Sequence, residues 1–368
     1  MKLLWRSPLA WTFLASVLLL LGVGGWLLTD PATSRSDALK TGGLAGGAIV
    51  ALYALWLNDR RRRVEERRQE IERRRHELEA QRAEQDRERV ADERFAKAVE
   101  LLGHAADQVR VGALHALAGL ARSRPAYTQT VLDVLCSYLR RPFKHPRYDE
   151  DLDRRDRETV PGEPEQEQEL TVRLTAQRLV KELLPPATDA EAPAYDLDLT
   201  GAVLEYLDLT DRKIGNLLLR YASLHSSTHF SRCLVAGKAY FTGMGTGTGR
   251  TVGYFRCRDA VFASVAWFSG TRFSESADFR NVKFAGPTTF KDARFGGDVE
   301  FTGAHATDSL DLRRTRFAGQ TDLRFASLPE SVSLYNTLVR GEKDVQLPEA
   351  WDFEELRDGD VRVVAKVG

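Results

Sequence analysis

The chain has 368 residues, with 53 Lys and Arg matched by 53 Asp and Glu for a formal charge of zero, and 43% of its residues are hydrophobic. That length holds more than one domain, and that apolar share excludes a disordered tail. Charge balance removes any global field that would recruit nucleic acid, and three cysteines without a C-x-x-C pair, Cys136, Cys233 and Cys257, make neither a disulfide framework nor a zinc knuckle.

The N-terminal region, 1–58, reads as a hairpin of two transmembrane helices. Residues 9–28, LAWTFLASVLLLLGVGGWLL, carry no charge and as a helix would span about 30 Å. Residues 41–57, TGGLAGGAIVALYALWL, would span about 25 Å, and their glycines Gly42, Gly43, Gly46 and Gly47 would let a facing helix approach closely. Lys2 and Arg6 before the first run, and Arg60 to Arg63 after the second, predict a multi-pass protein of the cell membrane with both termini cytoplasmic and the lipid bilayer as a partner.

Residues 59–93 are dominated by Arg, Glu and Gln and lack Gly and Pro, which predicts one long charged helix, a stalk. Val64, Ile71 and Leu78 recur every seven residues while the matching d-type positions are Arg and Gln, so the stalk reads as a spacer, with a homodimer through this short coiled-coil seam as the competing reading. Residues 94–141 place apolar residues at helical spacing in AKAVELL, VRVGALHALAGLA and TVLDVLCSYLR, a small α-helical domain that resembles a HEAT-like pair. His104, His115 and Cys136 within it read as structural rather than metal-ligating. Residues 142–169 read as a linker, and 170–186 as one more amphipathic helix stopped by Pro185 and Pro186.

Periodicity dominates 195–340. Leu199, Leu204, Leu209, Ile214, Leu219 and Leu224 fall every five residues. From Phe262 the step alternates between six and five, through Phe268, Phe273, Phe279, Phe284, Phe290, Phe295, Phe301, Ala306, Leu312, Phe317, Leu323, Leu328 and Leu334. Two residues before each stands, in all but one case (Leu310), a small or β-branched residue, and between the two lies a mostly polar one. Alternation of this kind turns the small residue and the Phe or Leu inward on a very short strand and the polar residue outward. Strands this short must turn a corner every five or six residues, so the chain is expected to wind as a four-sided solenoid with a 22-residue coil, stacking Phe273 on Phe295 and Phe317, and Phe279 on Phe301 and Leu323.

The small-x-[Leu/Phe]-x-x rhythm, as in FSESADFRNVKFAGPTTFKDARFGGDVEF, resembles the pentapeptide-repeat family, a resemblance that implies a right-handed quadrilateral β-helix. The combination of hairpin, charged helix, HEAT-like pair and repeat also resembles a family of prokaryotic membrane proteins of uncharacterised role. The fold class expected is thus α+β and multidomain, with residues 341–368 as a C-terminal cap in which Trp351 and Phe353 plug the open end of the solenoid.

For chemistry the sequence offers no paired carboxylates, nucleophile elbow or metal cluster at usable spacing, so no catalytic, cofactor-binding or metal-ligating residues are expected and the protein reads as no enzyme. The glycines of FTGMGTGTGRTVGYF, 241–255, lack the G-K-[ST] and the strand and helix context of a phosphate loop and read as a loop bridging the two repeat registers. His225, His229 and Cys233, four apart, should fall on different sides of the solenoid. Some pentapeptide-repeat proteins are thought to mimic DNA and bind topoisomerases, but from Asp196 to Asp344 acidic residues are matched by arginines, which argues against that role and against nucleic acid as a partner. The expected function is a membrane-anchored, cytoplasm-facing scaffold or regulatory adaptor that binds an unidentified protein through the β-helix surface, with a sensor that signals through the stalk as the alternative.

Overall fold

The computed structural model describes residues 8–29, 35–149, 160–341, 345–356 and 361–366. Its contacts divide the chain into two compact units, 1–89 and 90–368, each described by itself.

In the first unit, helix α1 (Pro8–Leu28) is followed by α2 (Arg35–Leu101), a continuous helix of 67 residues. Among the described residues no helix is long and apolar enough to cross a membrane, which overturns the expected pair of transmembrane helices, and with it the multi-pass membrane location and the bilayer as a partner. The run 41–57 forms no helix of its own, because it is the start of α2 and continues without a break into the charged stretch. In α1, Thr12, Ser16, Gly22, Gly24 and Gly25 dilute the apolar residues. Lys2, Arg6 and residues 30–34 of the intervening loop, on which the orientation rested, lie outside the described residues. The close approach through glycine is real at one point: the Ser16 hydroxyl donates to the Gly46 carbonyl at 2.6 Å, and a methyl group on Gly46 would stand 3.3 Å from Ser16. Beyond the apolar run, α2 is laced by i,i+4 pairs such as Arg74 with Glu70 (2.7 Å) and Arg75 with Glu79 (2.9 Å), which support an exposed helix by a few tenths of a kcal/mol each.

The second unit begins on the last turns of α2, where Ala91 and Ala98 are buried. Helices α3 (Asp107–Ser123) and α4 (Thr128–Leu139) follow, then α5 (Pro164–Leu183). Helix α5 starts well before Thr171, because Glu163 and Gln166 form a capping box around Pro164, a start signal that lay within the expected linker. Of that linker, 150–159 lie outside the described residues, and within 142–149 Phe143, Arg147 and Tyr148 are half-buried and His145 is buried with its Nε2 3.2 Å from Glu167.

The rest of the unit is a β-solenoid. Every described strand from Tyr195–Asp198 to Val345–Gln346 pairs in parallel with the strand one coil away. Pairings of Leu204 with Leu224 give a 20-residue coil in the first phase, whereas Phe273 with Phe295 and Phe295 with Phe317 give the 22-residue coil of the second. Four sides repeat: a first at Val261–Phe262, Lys283–Phe284 and His305–Ala306; a second at Ala266–Trp267, Thr288–Thr289 and Ser309–Asp311; a third at Arg272–Phe273, Arg294–Phe295 and Arg316–Phe317; a fourth at Ala277–Asp278, Val299–Glu300 and Thr321–Asp322. The corners require left-handed backbone, and Asp259, Gly270, Asn281, Asp292 and Gly303 supply it with residues that tolerate positive φ.

Inside, the phenylalanines form columns. Rings stack along the axis nearly parallel, Phe273 on Phe295 at 4.8 Å, Phe295 on Phe317 at 5.0 Å and Phe279 on Phe301 at 4.8 Å, while neighbouring columns meet edge to face, as Phe279 does with Phe268 (5.6 Å, 89°). Both geometries suit the ring quadrupole. Threonines at the small positions hide their hydroxyls by donating to backbone carbonyls, Thr315 to Phe290 at 2.9 Å and Thr337 to Leu312 at 2.7 Å.

The expected register holds through Leu323 and then slips. Phe325 turns inward and stacks on Phe301 at 5.1 Å, Ala326 is exposed, and Leu328 and Leu334 are half-buried. The inward pair on the third side is Thr337 and Val339, 22 residues after Thr315 and Phe317. The far end is closed by a hairpin, Trp351–Glu355 with Val361–Ala365, which adds antiparallel strands to Thr337–Val339. Trp351 is buried 6.1 Å from Phe325, Phe353 is half-buried, and 357–360 lie outside the described residues. At the opposite end α4 and α5 cover the first coil: Gln129 exchanges hydrogen bonds with the Asp196 backbone at 2.8 and 3.0 Å, and the Lys213 N–H donates to Pro185.

Candidate interaction surface

With the interior filled, the chemistry of the solenoid lies on its outer sides and at one interruption. The interruption is made by the glycine-rich segment. On the third side, strands Val203–Glu205 and Ser223–His225 pair only with each other, and Thr251–Val252 opens a separate sheet. Between them Thr246 and Thr251 exchange backbone hydrogen bonds (2.8 and 2.7 Å) to close a short hairpin, which the Arg250 guanidinium ties down on the Gly243 and Tyr221 carbonyls. The next element after the hairpin is the strand Phe255–Arg256, not a helix.

Beside the hairpin lies a cleft of about 250 Å³, lined among others by Glu205, Tyr206, Thr251, Ser274 and Glu275, with Arg147 and Tyr148 reaching in from the segment ahead of α5. Tyr148 lies flat on His225, centroids 3.8 Å apart, and its hydroxyl donates to Glu205 Oε2 at 3.0 Å; Arg147 reaches the same oxygen at 3.3 Å. Burial pushes the Tyr148 phenol well above its ordinary value. Glu205 thus fastens the segment to the solenoid.

The residues singled out for metal are scattered. His225 stands on the third side and His229 on the fourth, and Cys233 is buried behind a corner. His104 and His115 are exposed, whereas Cys136 is buried in α4. Among the described residues no group of three His, Cys, Asp or Glu side chains converges as metal ligands would. Burial pushes the Cys136 and Cys233 thiols up to about 12 and Cys257 well above the ordinary thiol range, so all three act as small apolar groups.

The sides differ in what they present. The second carries Tyr240 and Trp267, ring centroids 5.8 Å apart, with the Arg220 guanidinium 4.1 Å above Tyr240. The fourth carries Asp278, Glu300 and Asp322 in a row. Arginines two residues on clamp the aspartates through two nitrogens, Arg280 on Asp278 at 2.9 and 2.6 Å and Arg324 on Asp322 at 3.0 and 2.5 Å, and at the end of the second side Arg313 holds Asp311 in the same way at 2.9 and 2.7 Å. The acidic row is therefore neutralised in place, unlike a phosphate ladder.

Burial alone would raise the Asp278, Asp311 and Asp322 carboxyls, but the guanidinium bonds outweigh it and hold all three below the usual carboxylate range. Because the folded values lie below the unfolded one, these groups contribute stability above the ordinary aspartate pKa of about 3.9 and lose it as the pH falls further. The thermal midpoint should hold down to about pH 4 and then drop, and in Asp278→Asn the drop should be shallower. A midpoint that rises on acidification would show the pairs contribute nothing.

Three overlapping stretches, 258–305, 268–316 and 279–327, match the family model described as pentapeptide repeats (9 copies). No characterised protein and no solved structure matches the chain.

Proposed function

We propose that the protein is not an enzyme and that it acts as a protein-interaction scaffold or regulatory adaptor through the outer sides of its pentapeptide-repeat solenoid. The supporting observation is the interior itself: Phe230, Phe241, Phe255, Phe262, Phe268, Phe279, Phe290 and Phe301 have no exposed surface, so the solenoid is a stiff rod whose binding capacity lies outside. A stiff surface binds a partner without an ordering cost of its own.

A photo-activated cross-linking residue placed in the full chain at Lys283, Trp267, Arg294 or Glu300, one for each side, tests this in the native cell. One discrete adduct from one or two adjacent sides is expected; no adduct from any side, or the same smear from all four, sinks the reading. A second reading rests on Val64, Ile71 and Leu78, which are 45%, 65% and 54% exposed at heptad spacing on α2. In it the stalk pairs with a second copy and transmits a signal, and a cysteine at Leu78 that never cross-links would remove it.

A further inference from the structure

Arg272, Arg294 and Arg316 stand directly above one another on the third side, one per coil, with their side chains exposed. Parallel rungs are about 4.8 Å apart, so three cations rise in steps of that size. Three nearby aspartates are committed elsewhere, Asp292 to Arg314 at 2.5 and 2.8 Å, Asp311 to Arg313 and Asp278 to Arg280, and Glu275 lies at the corner after Arg272. Arg272 donates to the Gly249 carbonyl at 3.1 Å, and Arg294 and Arg316 have no acidic partner within ion-pair distance among the described residues. The corner that follows each rung is nearly bare above Glu275, with Gly296 and Gly297 on one coil and Ala318 and Gly319 on the next. Side chains have no room there, since a methyl group on Gly297 would lie 2.6 Å from the Glu275 backbone and one on Gly319 2.5 Å from Gly297. The arginines are thus flanked by a flat, open strip.

Like charges directly opposed across rungs destabilise a sheet. On the fourth side the same opposition is relieved by arginine clamps, and on the third it is left standing. We propose, building on the protein-interaction reading above, that this row is the docking site for an acidic helix of a partner protein. A helix with carboxylates at i, i+3 or i+4, and i+7 presents them at about 4.5 to 6 Å and about 10.5 Å along its axis. Three rungs present guanidinium stems at 0, about 4.8 and about 9.6 Å, and each guanidinium takes a carboxylate through two hydrogen bonds. A nucleic-acid strand repeats its charge every 3.4 Å or so along the axis, out of step with the rungs, and the outward neighbours two residues beyond the arginines, Ser274, Gly296 and Ala318, offer no ring on which a base would stack.

The test uses the full chain and three fluorescent probes: a helix-forming peptide with glutamates at i, i+4 and i+7, a peptide of equal composition with the glutamates scattered round the helix, and oligothymidylate. Salt-sensitive binding of the first peptide is expected, weakened about tenfold in Arg294→Gln, the value of one lost charge-assisted contact, and abolished when Arg272 and Arg316 are also changed to Gln. Because the row repels itself, Arg294→Gln should leave the thermal midpoint unchanged or raise it, so a loss of binding cannot be a loss of fold. Equal binding of both peptides, preference for oligothymidylate, no binding of any probe, or a lowered midpoint in Arg294→Gln would each overturn the proposal. If the peptide fails while cross-linking still captures a partner, the acidic helix falls and the scaffold reading stands.

Discussion

Replacing Phe279 with alanine should destabilise the solenoid by about 3 to 5 kcal/mol, the range for emptying a phenylalanine-sized site in a packed core. Phe279 has no exposed surface. Its ring stacks on Phe301 at 4.8 Å with planes 2° apart, and meets Phe268 and Phe290 edge-on at 5.6 and 5.5 Å. Truncation therefore removes partners along the column and across it, and the neighbouring rings cannot close the gap because each is fixed to a strand whose backbone is held by the coils above and below. Leucine at the same place keeps much of the volume and should cost about 1.5 kcal/mol or less. Since each coil touches only its neighbours, the loss should be felt locally. Amide exchange should accelerate first around Phe268, Phe290 and Phe301 and least in α3. Chemical denaturation supplies the magnitude, with Tyr335→Ala as the control because that ring is 74% exposed. Should both variants unfold alike, the aromatic columns are not what holds the coils together.

The solenoid was legible because one physical constraint repeats: each short strand must turn a small residue and a large apolar one inward. That constraint places Phe262 through Leu323 without error, since a slip by one residue would turn arginine or aspartate into the core. It fades where the chain leaves the rule. At Phe325 the corner residue itself turns in to stack on Phe301, a tertiary choice that no local pattern announces. Thr337 and Val339 do obey the small-x-apolar rule 22 residues beyond Thr315 and Phe317, but the irregular stretch before them hides the phase. The start of α5 was written in the capping residues Glu163, Pro164 and Gln166, yet surrounding acidic residues gave the segment the composition of a linker. The apolar runs at the N-terminus were legible as helices, and composition alone overstated their capacity to span a bilayer. For the candidate surface, the sequence marks Arg272, Arg294 and Arg316 as outward residues. Only the coil register, which sets them one above another and assigns the neighbouring aspartates to other arginines, turns three scattered charges into a row.

The largest electrostatic effect should come from Glu169, on α5, where it faces two arginines. Arg173 is 1% exposed, donates to the Leu139 carbonyl, lies 4.9 Å over the Phe143 ring and reaches Glu169 Oε1 at 3.5 Å. Arg110 pairs with Glu169 Oε2, and the Tyr138 hydroxyl donates to that oxygen at 2.8 Å. Burial lowers the Arg173 guanidinium and Glu169 opposes it, so the carboxylate is what keeps a buried cation tolerable. Glu169→Ala leaves two guanidiniums facing each other without a counter-charge and should cost about 3 to 5 kcal/mol, the usual loss when one partner of a buried pair is removed. Exposed ion pairs are worth far less, and Glu70→Ala on α2, which breaks its pair with Arg74, should cost about 0.5 kcal/mol or less. The two variants remove the same chemical group, so their difference measures the burial of Glu169 together with its additional partners. A spectroscopic signature separates the network from simple packing. Burial first, and then the bond to Glu169, push the Tyr138 phenol up to about 12, and removing Glu169 should bring it back toward the ordinary tyrosine value, as read by absorbance titration. If Glu169→Ala is no more costly than Glu70→Ala and the phenol does not move, the helical domain is held by its apolar contacts and the buried charges are incidental to it.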